Sequence, residues 1–253
     1  MGKMANLNSF AAGGYSYIPG VFQYSAGVRA DEGHELVRVR FQKPLVMAEA
    51  FPAIEQHLSA VGRSPLAFCA CELRSPAPFT EAGFAAFNKE YVGWLERWNL
   101  IRDGMNPVAR TNVCPQVSPP KAVSFYAFAY TRPKQGKGPG GFIAAGSGEA
   151  PEGKGNYKDH AIRLGDRSIE GLTEKARWVL GEMERRMTAL GATWADSTGT
   201  QLYTICDVFP LLEKEILSRG AAPHGLNWHF SRPPVEFLDY EMDVRGVPVE
   251  LVI

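Results

Sequence analysis

The sequence predicts an α+β protein built as two tandem halves, each a mixed sheet with helices packed on one face. Three observations carry that expectation. Strand-like and helix-like periodicities alternate along the chain, with hairpins among the strands. Residues 133–141, PKQGKGPGG, place four glycines and two prolines in nine positions, which no packed core accommodates. Beyond that stretch the same order of elements starts again, roughly 115–120 residues on, as an internal duplication would. The expected units are residues 1–132, a linker at 133–141, and residues 142–253.

The first half reads as follows. Residues 15–28, YSYIPGVFQYSAGV, carry strand-forming aromatics and valines interrupted by Pro19-Gly20, a hairpin pattern. Leu36 to Phe41 alternates Val37 and Val39 with Arg38 and Arg40. A helix is predicted from Val46 to Ala60, with Phe51, Ile54 and Leu58 on one face and Gly62 closing it. Residues 65–73, PLAFCACEL, have strand length. Thr80 followed by Glu81 opens a second helix with Phe84, Phe87, Tyr91 and Leu95 at helical spacing. The loop Asn106–Val113 and an apolar strand from Ala122 to Tyr130 complete the half.

In the second half, Gly141 to Gly148 reads as a small-residue strand ending in a turn, and 150–168 as an exposed polar loop. A long helix runs from Ile169 to Leu190, closed by Gly191, with Leu172, Ala176, Val179, Leu180, Met183 and Met187 on one face. Strand Thr200–Cys206, helix Phe209–Leu217, loop Pro223–Phe230 and strand Val235–Val244 follow.

Composition narrows the function. Of 253 residues 45% are hydrophobic and 21% charged, and Lys+Arg equals Asp+Glu at 27 each. A neutral chain lacks the basic footprint that phosphates demand, so no nucleic-acid partner is expected. No apolar run approaches the ~18 residues of a membrane span. The N-terminal Met-Gly-Lys-Met-Ala-Asn has no apolar core for a signal peptide, and Asn6 stands where a myristoylation signal needs Ser or Thr. Cys69, Cys71, Cys114 and Cys206 do not match the usual metal spacing and read as reduced core thiols, so a cytoplasmic protein is expected.

Chemistry concentrates around Arg110. It is the one strong cation among Val108, Ala109 and Val113, and a guanidinium in apolar surroundings needs an anionic partner. Its planar fork matches a carboxylate. A carboxylate clamp and an ordinary structural ion pair both satisfy that need. His224 and His229 flank Asn227-Trp228 and have the intrinsic pKa for acid–base work, or are satisfied by backbone. Asp239, Glu241 and Asp243 share one face of the last strand, where repulsion could raise a pKa; a solvated face paired with Arg245 or Arg232 is the simpler reading. Ser25 and Ser147 have no neighbouring His or Asp pattern, which excludes a Ser-His-Asp hydrolase.

These residues resemble the Rid (YjgF-type, chorismate-mutase-like) enamine/imine deaminase superfamily, twice over. Gln23-Tyr-Ser-Ala-Gly27, Asn88-x-x-Tyr91 and Val108-Ala-Arg-Thr111 match that family's motifs in the first half. In the second half Ser147-Gly148 fits the turn, but Pro223-His-Gly-Leu-Asn-Trp-His229 replaces the arginine motif. Asn112 stands where the family often has Cys, and Tyr126 where an acid is usual on the last strand. A two-domain chain of this kind is similar to the deaminases of 2-aminomuconate and its chloro derivative.

The resemblance implies a homotrimer with sites in clefts between domains or subunits, and hydrolytic deamination of a small carboxylate substrate without metal or cofactor. It implies Arg110 as the group that holds the substrate carboxylate; His224 and Glu241 join it as catalytic candidates on their own acid–base chemistry. Tyr15, Tyr17, Ser25, Gly27, Asn112, Ser147 and His229 would bind substrate, with Arg232, His224 or His229 supplying a second cation or donor. A non-catalytic carboxylate-binding protein and a chorismatase-like hydrolase are the alternatives.

Overall fold

The computed structural model describes residues 7–253. The expectations about the N-terminal six residues therefore lie outside the described part. Twelve strands form one mixed sheet. They are β1 (Asn8–Phe10), β2 (Tyr15–Ile18), β3 (Gly27–Ala30), β4 (His34–Val46), β5 (Phe68–Arg74), β6 (Ala109–Pro115), β7 (Ser124–Pro133), β8 (Phe142–Gly148), β9 (Gly199–Thr204), β10 (Leu226–Arg232), β11 (Tyr240–Gly246) and β12 (Val249–Val252). The three long helices are α1 (Met47–Ala60), α2 (Glu81–Arg97) and α3 (Ile169–Ala189). The strand order is β1-β2-β3-β8-β11-β9-β10-β6-β5-β7-β4-β12. The protein is thus mixed α/β with a single large sheet.

Two quartets within that sheet repeat one connection pattern. In β4-β7-β5-β6 the pairings run antiparallel, antiparallel, parallel. In β8-β11-β9-β10 they run the same way. The quartets meet edge to edge where Ser231 and Arg232 of β10 pair with Pro115 and Cys114 of β6. The chain ends cross over. β3, from the N-terminal hairpin, pairs with β8, while β12, from the C-terminus, runs parallel to β4.

Alternation along each strand separates two kinds of interior. Cys69, Cys71 and Leu73 of β5 join Ala50, Phe51, Ile54 and Leu58 of α1 and Phe84, Phe87, Tyr91 and Leu95 of α2 in one apolar core. Tyr240, Met242 and Val244 of β11 join Leu172, Ala176, Val179, Leu180, Met183 and Met187 of α3 in another. The intervening residues point the other way, and there the two quartets fold over each other. Glu72 of β5 takes Arg38 Nε at 2.6 Å and Nη2 at 2.9 Å, and Gln201 Nε2 of β9 reaches the same carboxylate at 3.4 Å. Glu250 of β12 accepts from Arg38 at 3.0 Å and from Arg245 at 2.8 Å. Asp243 accepts from Gln201 and Tyr203, each at 2.8 Å. The arginines beside Glu72 hold its carboxyl down at about 2.

The helix ends follow local chemistry. Thr80 and Ser168 each accept a bond from the backbone N–H three residues on, at Gly83 and Gly171, both at 3.1 Å. Several expectations need correction. The segment expected as helix Phe209–Leu217 is a short α turn (Phe209–Leu211), a π turn (Leu212–Ile216) and a 3-10 turn (Leu217–Arg219), which Gly220 ends at φ 72°. The expected loop 223–230 is largely strand β10, whose exposed, weakly apolar pattern hid it. The last long strand begins at Tyr240, not Val235, because 235–239 form a turn with Phe237 at φ 78°. The four cysteines are free thiols, three of them buried. Among the described residues no helix is long and apolar enough to cross a membrane.

Candidate active site

Arg110 lies on β6 opposite Cys71 of β5 and points to the α2 side, where the helix presents Phe84, Phe87 and Tyr91. Those three are spaced so that they fall on one helical face, which is why a single side chain meets them all. With Tyr24 they surround the guanidinium at 4.8–5.7 Å from ring centroid to Cζ. Arg110 is 3% exposed, has no carboxylate partner among the described residues, and leaves Nε and Nη1 without a hydrogen bond. Aromatic faces stabilise such a cation partly, yet supply no acceptor for its N–H groups. That combination marks a site prepared for an anion.

The guanidinium borders a narrow cavity of about 40 Å³. Tyr24, Asn112, Ser147, Glu152, Tyr157 and Glu241 contribute its polar groups, and Phe84, Val235 and Leu238 its apolar wall. Glu241, at the start of β11, makes no hydrogen bond or ion pair among the described residues. Burial lifts its carboxyl well above the usual 4.5, Asp243 and Glu149 add to the rise, and Arg186 and Arg110 oppose it. The carboxyl lies directly over Gly146: a Cβ there would sit 2.3 Å from Glu241 Oε1. Asn112 accepts from Ser75 Oγ at 2.9 Å and keeps a buried Nδ2 free.

The walls are pinned from behind. Thr111 Oγ1 accepts from Gly146 N at 3.0 Å, tying β6 to β8 across the two quartets. Arg186 of α3 donates to the carbonyls of Ala145 and Gly146 at 3.0 and 3.2 Å and pairs with Glu152 at 2.9 Å. Glu149 accepts from the backbone N–H groups of Asp239 and Tyr240, while Lys175 pairs with Asp239 at 2.6 Å. Glu81 at the start of α2 accepts from Tyr157 N at 2.8 Å and so fixes the loop that carries Tyr157.

The structure therefore gathers Arg110, Asn112, Ser147 and Glu241 around one cavity. The other expected site residues lie elsewhere. Tyr15 is fully buried in the first core with its hydroxyl on the Phe68 carbonyl, and Tyr17 is buried beside Asn8. Ser25 bonds the Pro107 carbonyl, and Gly27 pairs with Ala144 in the sheet; both shape the backbone near Arg110 without lining the cavity. His224 is exposed in the turn before β10. His229 contacts Gln201 at 3.2 Å and Tyr203 at 5.0 Å, lining a different groove. Arg232 sits on β10 opposite Cys114, not in the cavity. The acidic face of the last strand is buried rather than solvated, because it fronts the other quartet.

Tyr24, Phe84, Glu152 and Tyr157 are the lining residues that the sequence did not single out. Phe84 read as core because its helical stripe serves both core and arginine. Tyr157 is the lone aromatic of the polar loop 151–160, and that isolation was its one signal. Among the described residues, no group of three or more His, Cys, Asp or Glu side chains is placed to hold a metal ion.

Comparison with known proteins bears on this cavity. The family described as "2-aminomuconate deaminase CnbZ" matches residues 7–251. A "2-amino-5-chloromuconate deaminase" from Comamonas testosteroni is 51% identical over 246 residues, covering 96% of this chain and 98% of that protein.

Proposed function

The chain belongs to the 2-aminomuconate deaminase family, and on that premise we propose that it hydrolyses 2-aminomuconate or its chloro derivative, releasing ammonia and a 2-oxo acid. The observation that carries the reading is the meeting of an unpaired guanidinium, Arg110, with a buried carboxyl of raised pKa, Glu241, in one cavity.

Arg110 holds the carboxylate next to the amino-bearing carbon through two parallel N–H···O bonds, which its unpartnered nitrogens are free to make. The far carboxylate of the muconate takes neutral donors: Asn112 Nδ2, Ser147 Oγ or the Tyr24 and Tyr157 hydroxyls. Glu241, held protonated, gives its proton to the enamine carbon, and the C=C pair becomes the new C–H bond as C=N forms. Water then adds to the imine carbon while the Glu241 carboxylate takes its proton. Return of that proton to nitrogen lets ammonia leave as Glu241 takes the carbinol O–H proton and C=O closes. One water enters, one ammonia leaves, and Glu241 ends as it began. Desolvation raises the Glu241 carboxyl and so favours the protonated form that donates first.

The repeated strand pattern supports the finer reading that the two quartets are copies of one Rid-like unit, joined at 133–141, with end strands exchanged. Under that reading the copies have divided the work: the first supplies Arg110 and the second Glu241. The cavity is lined within one chain, so the expected homotrimer would stack complete sites; sedimentation giving a monomer would refute the trimer. Free thiols accord with residence in the cytoplasm. The deciding test is ammonia release from 2-aminomuconate generated in situ, corrected for the unaided reaction. Acceleration by the wild type and none by Arg110→Ala is the expected result; no acceleration by the wild type would end the proposal.

A further inference from the structure

The repeated topology puts a second pocket where the first has its counterpart. The active cavity lies between β6 and the facing ends of β8 (Gly146 to Gly148) and β11 (Glu241). In the pattern common to the quartets, β10 corresponds to β6, β4 to β8 and β7 to β11. Between β10 and those ends of β4 and β7 lies a groove of about 550 Å³, bordered by Val46, Ser124, Tyr126, His229, Phe230 and Ser231.

Arg74, at the end of β5, points into this groove with its side chain 5% exposed. Its Nη1 donates to the Leu73 carbonyl at 2.9 Å, but Nη2 is buried without a hydrogen-bond partner. The carboxylate nearest to it, Glu72 at 3.9 Å, is already held bidentately by Arg38. The guanidinium packs on the Tyr126 ring at 4.2 Å. Lys121 stands exposed on the rim, and no acidic side chain lines the groove. Tyr126, His229 and Phe230 offer flat apolar faces. The corresponding strand of the active cavity carries Glu241; here β7 carries Tyr126, so the groove has no carboxyl to shuttle protons.

We propose that this groove is a second, non-catalytic binding site for a small flat unsaturated carboxylate, with Arg74 taking the carboxylate and Tyr126 and Phe230 stacking on the carbon chain. It stands apart from the deaminase reading, because it rests on Arg74 and its surroundings alone. A molecule held there is bound and released unchanged, which makes the site fit for an effector, such as a substrate or product acting on the adjoining cavity through β6 and β10.

The test is calorimetric titration of the whole protein with cis,cis-muconate, a flat dicarboxylate without an amino group to lose. The expected result is two molecules per chain. Arg110→Gln leaves one, the groove. Arg74→Gln weakens the other event at least about tenfold, the loss of a charge-assisted bond. Lys121→Glu, at an exposed position on the rim, weakens the same event and leaves the Arg110-dependent event unchanged. A wild type with no event that depends on Arg74 overturns the proposal, whereas absence of only the Arg110-dependent event counts against the cavity and leaves the groove standing. An unchanged second event in Lys121→Glu or in folded Arg74→Gln also overturns it; should Arg74→Gln fail to fold, the lysine variant decides.

Discussion

Replacing Arg110 by Gln separates a functional cation from a structural one. Burying an ion costs several kcal/mol even after relaxation. Four rings within 5.7 Å return roughly 0.5–1 kcal/mol each, up to ~2 where water is excluded. The two contributions nearly cancel, and no partner is left uncompensated when the charge goes, since Arg110 has no ion pair. The unliganded variant should therefore lie within about 2 kcal/mol of the wild type, a Tm change under about 8 °C for a chain of this size. Catalysis should suffer far more. Two hydrogen bonds from a charged donor are worth ~1.5–3 kcal/mol each, so kcat/KM should fall by about 10²- to 10⁴-fold. Differential scanning calorimetry and initial-rate assays on the same preparation give both numbers. A Tm loss well beyond ~10 °C, with activity tracking only the folded fraction, would show Arg110 to be a scaffold residue and refute the argument.

Other expectations follow from the same geometry. Because burial raises the Glu241 carboxyl, kcat/KM should decline as pH rises through its folded-state value, and Glu241→Gln should be inactive across the range. The same group favours the folded state fully below its ordinary 4.5, and that contribution disappears as pH rises through the raised value. Urea titrations should accordingly show Glu241→Gln gaining on the wild type with increasing pH; equal slopes would contradict this. Glu72 has the opposite sign. Its carboxyl, held at about 2, contributes above pH 4.5 and loses its contribution as pH falls toward 2, and Glu72→Gln should cost ~1–3 kcal/mol, since Arg38 is left with Glu250 alone. A loss under ~1 kcal/mol would mean the pair is not coupled to folding. Gly146→Ala forces a Cβ against Glu241 Oε1 and should lower kcat about 10²-fold with Tm little changed, measured by steady-state kinetics.

The elements that sequence periodicity found are those whose one face is apolar at a fixed period: α1, α2, α3 and the buried strands β5, β7 and β9. Periodicity missed β1 and β12 because short edge strands pair through backbone, which side-chain pattern does not report, and missed β10 because its residues are largely exposed and show no apolar alternation. It read Phe209–Leu217 as one helix, where the backbone passes through α, π and 3-10 turns in succession. At the site, Arg110 stood out as a charge among apolar neighbours, and Glu241 as one of three acids on a strand. Their juxtaposition was not readable, since it depends on how one quartet folds over the other. Tyr15 and Tyr17 looked apt because they precede the Ser25–Gly27 motif, but strand alternation sends both into packed interior, and Tyr24, one residue before the motif, reaches the cavity instead.

The crossing of the chain ends bears on how the molecule is made. The edge of β4 is completed only by residues 249–252, more than two hundred positions later, and the first sheet residues find their neighbour in β8. During synthesis the first half thus waits with an open strand edge and an Arg38 that lacks its Glu250 contact, and closes after the last residues emerge, a slow non-local step. A protease cut within 134–140 of the finished protein should leave two fragments still locked by each other's strands, whereas either fragment expressed alone should present an unpaired edge and aggregate.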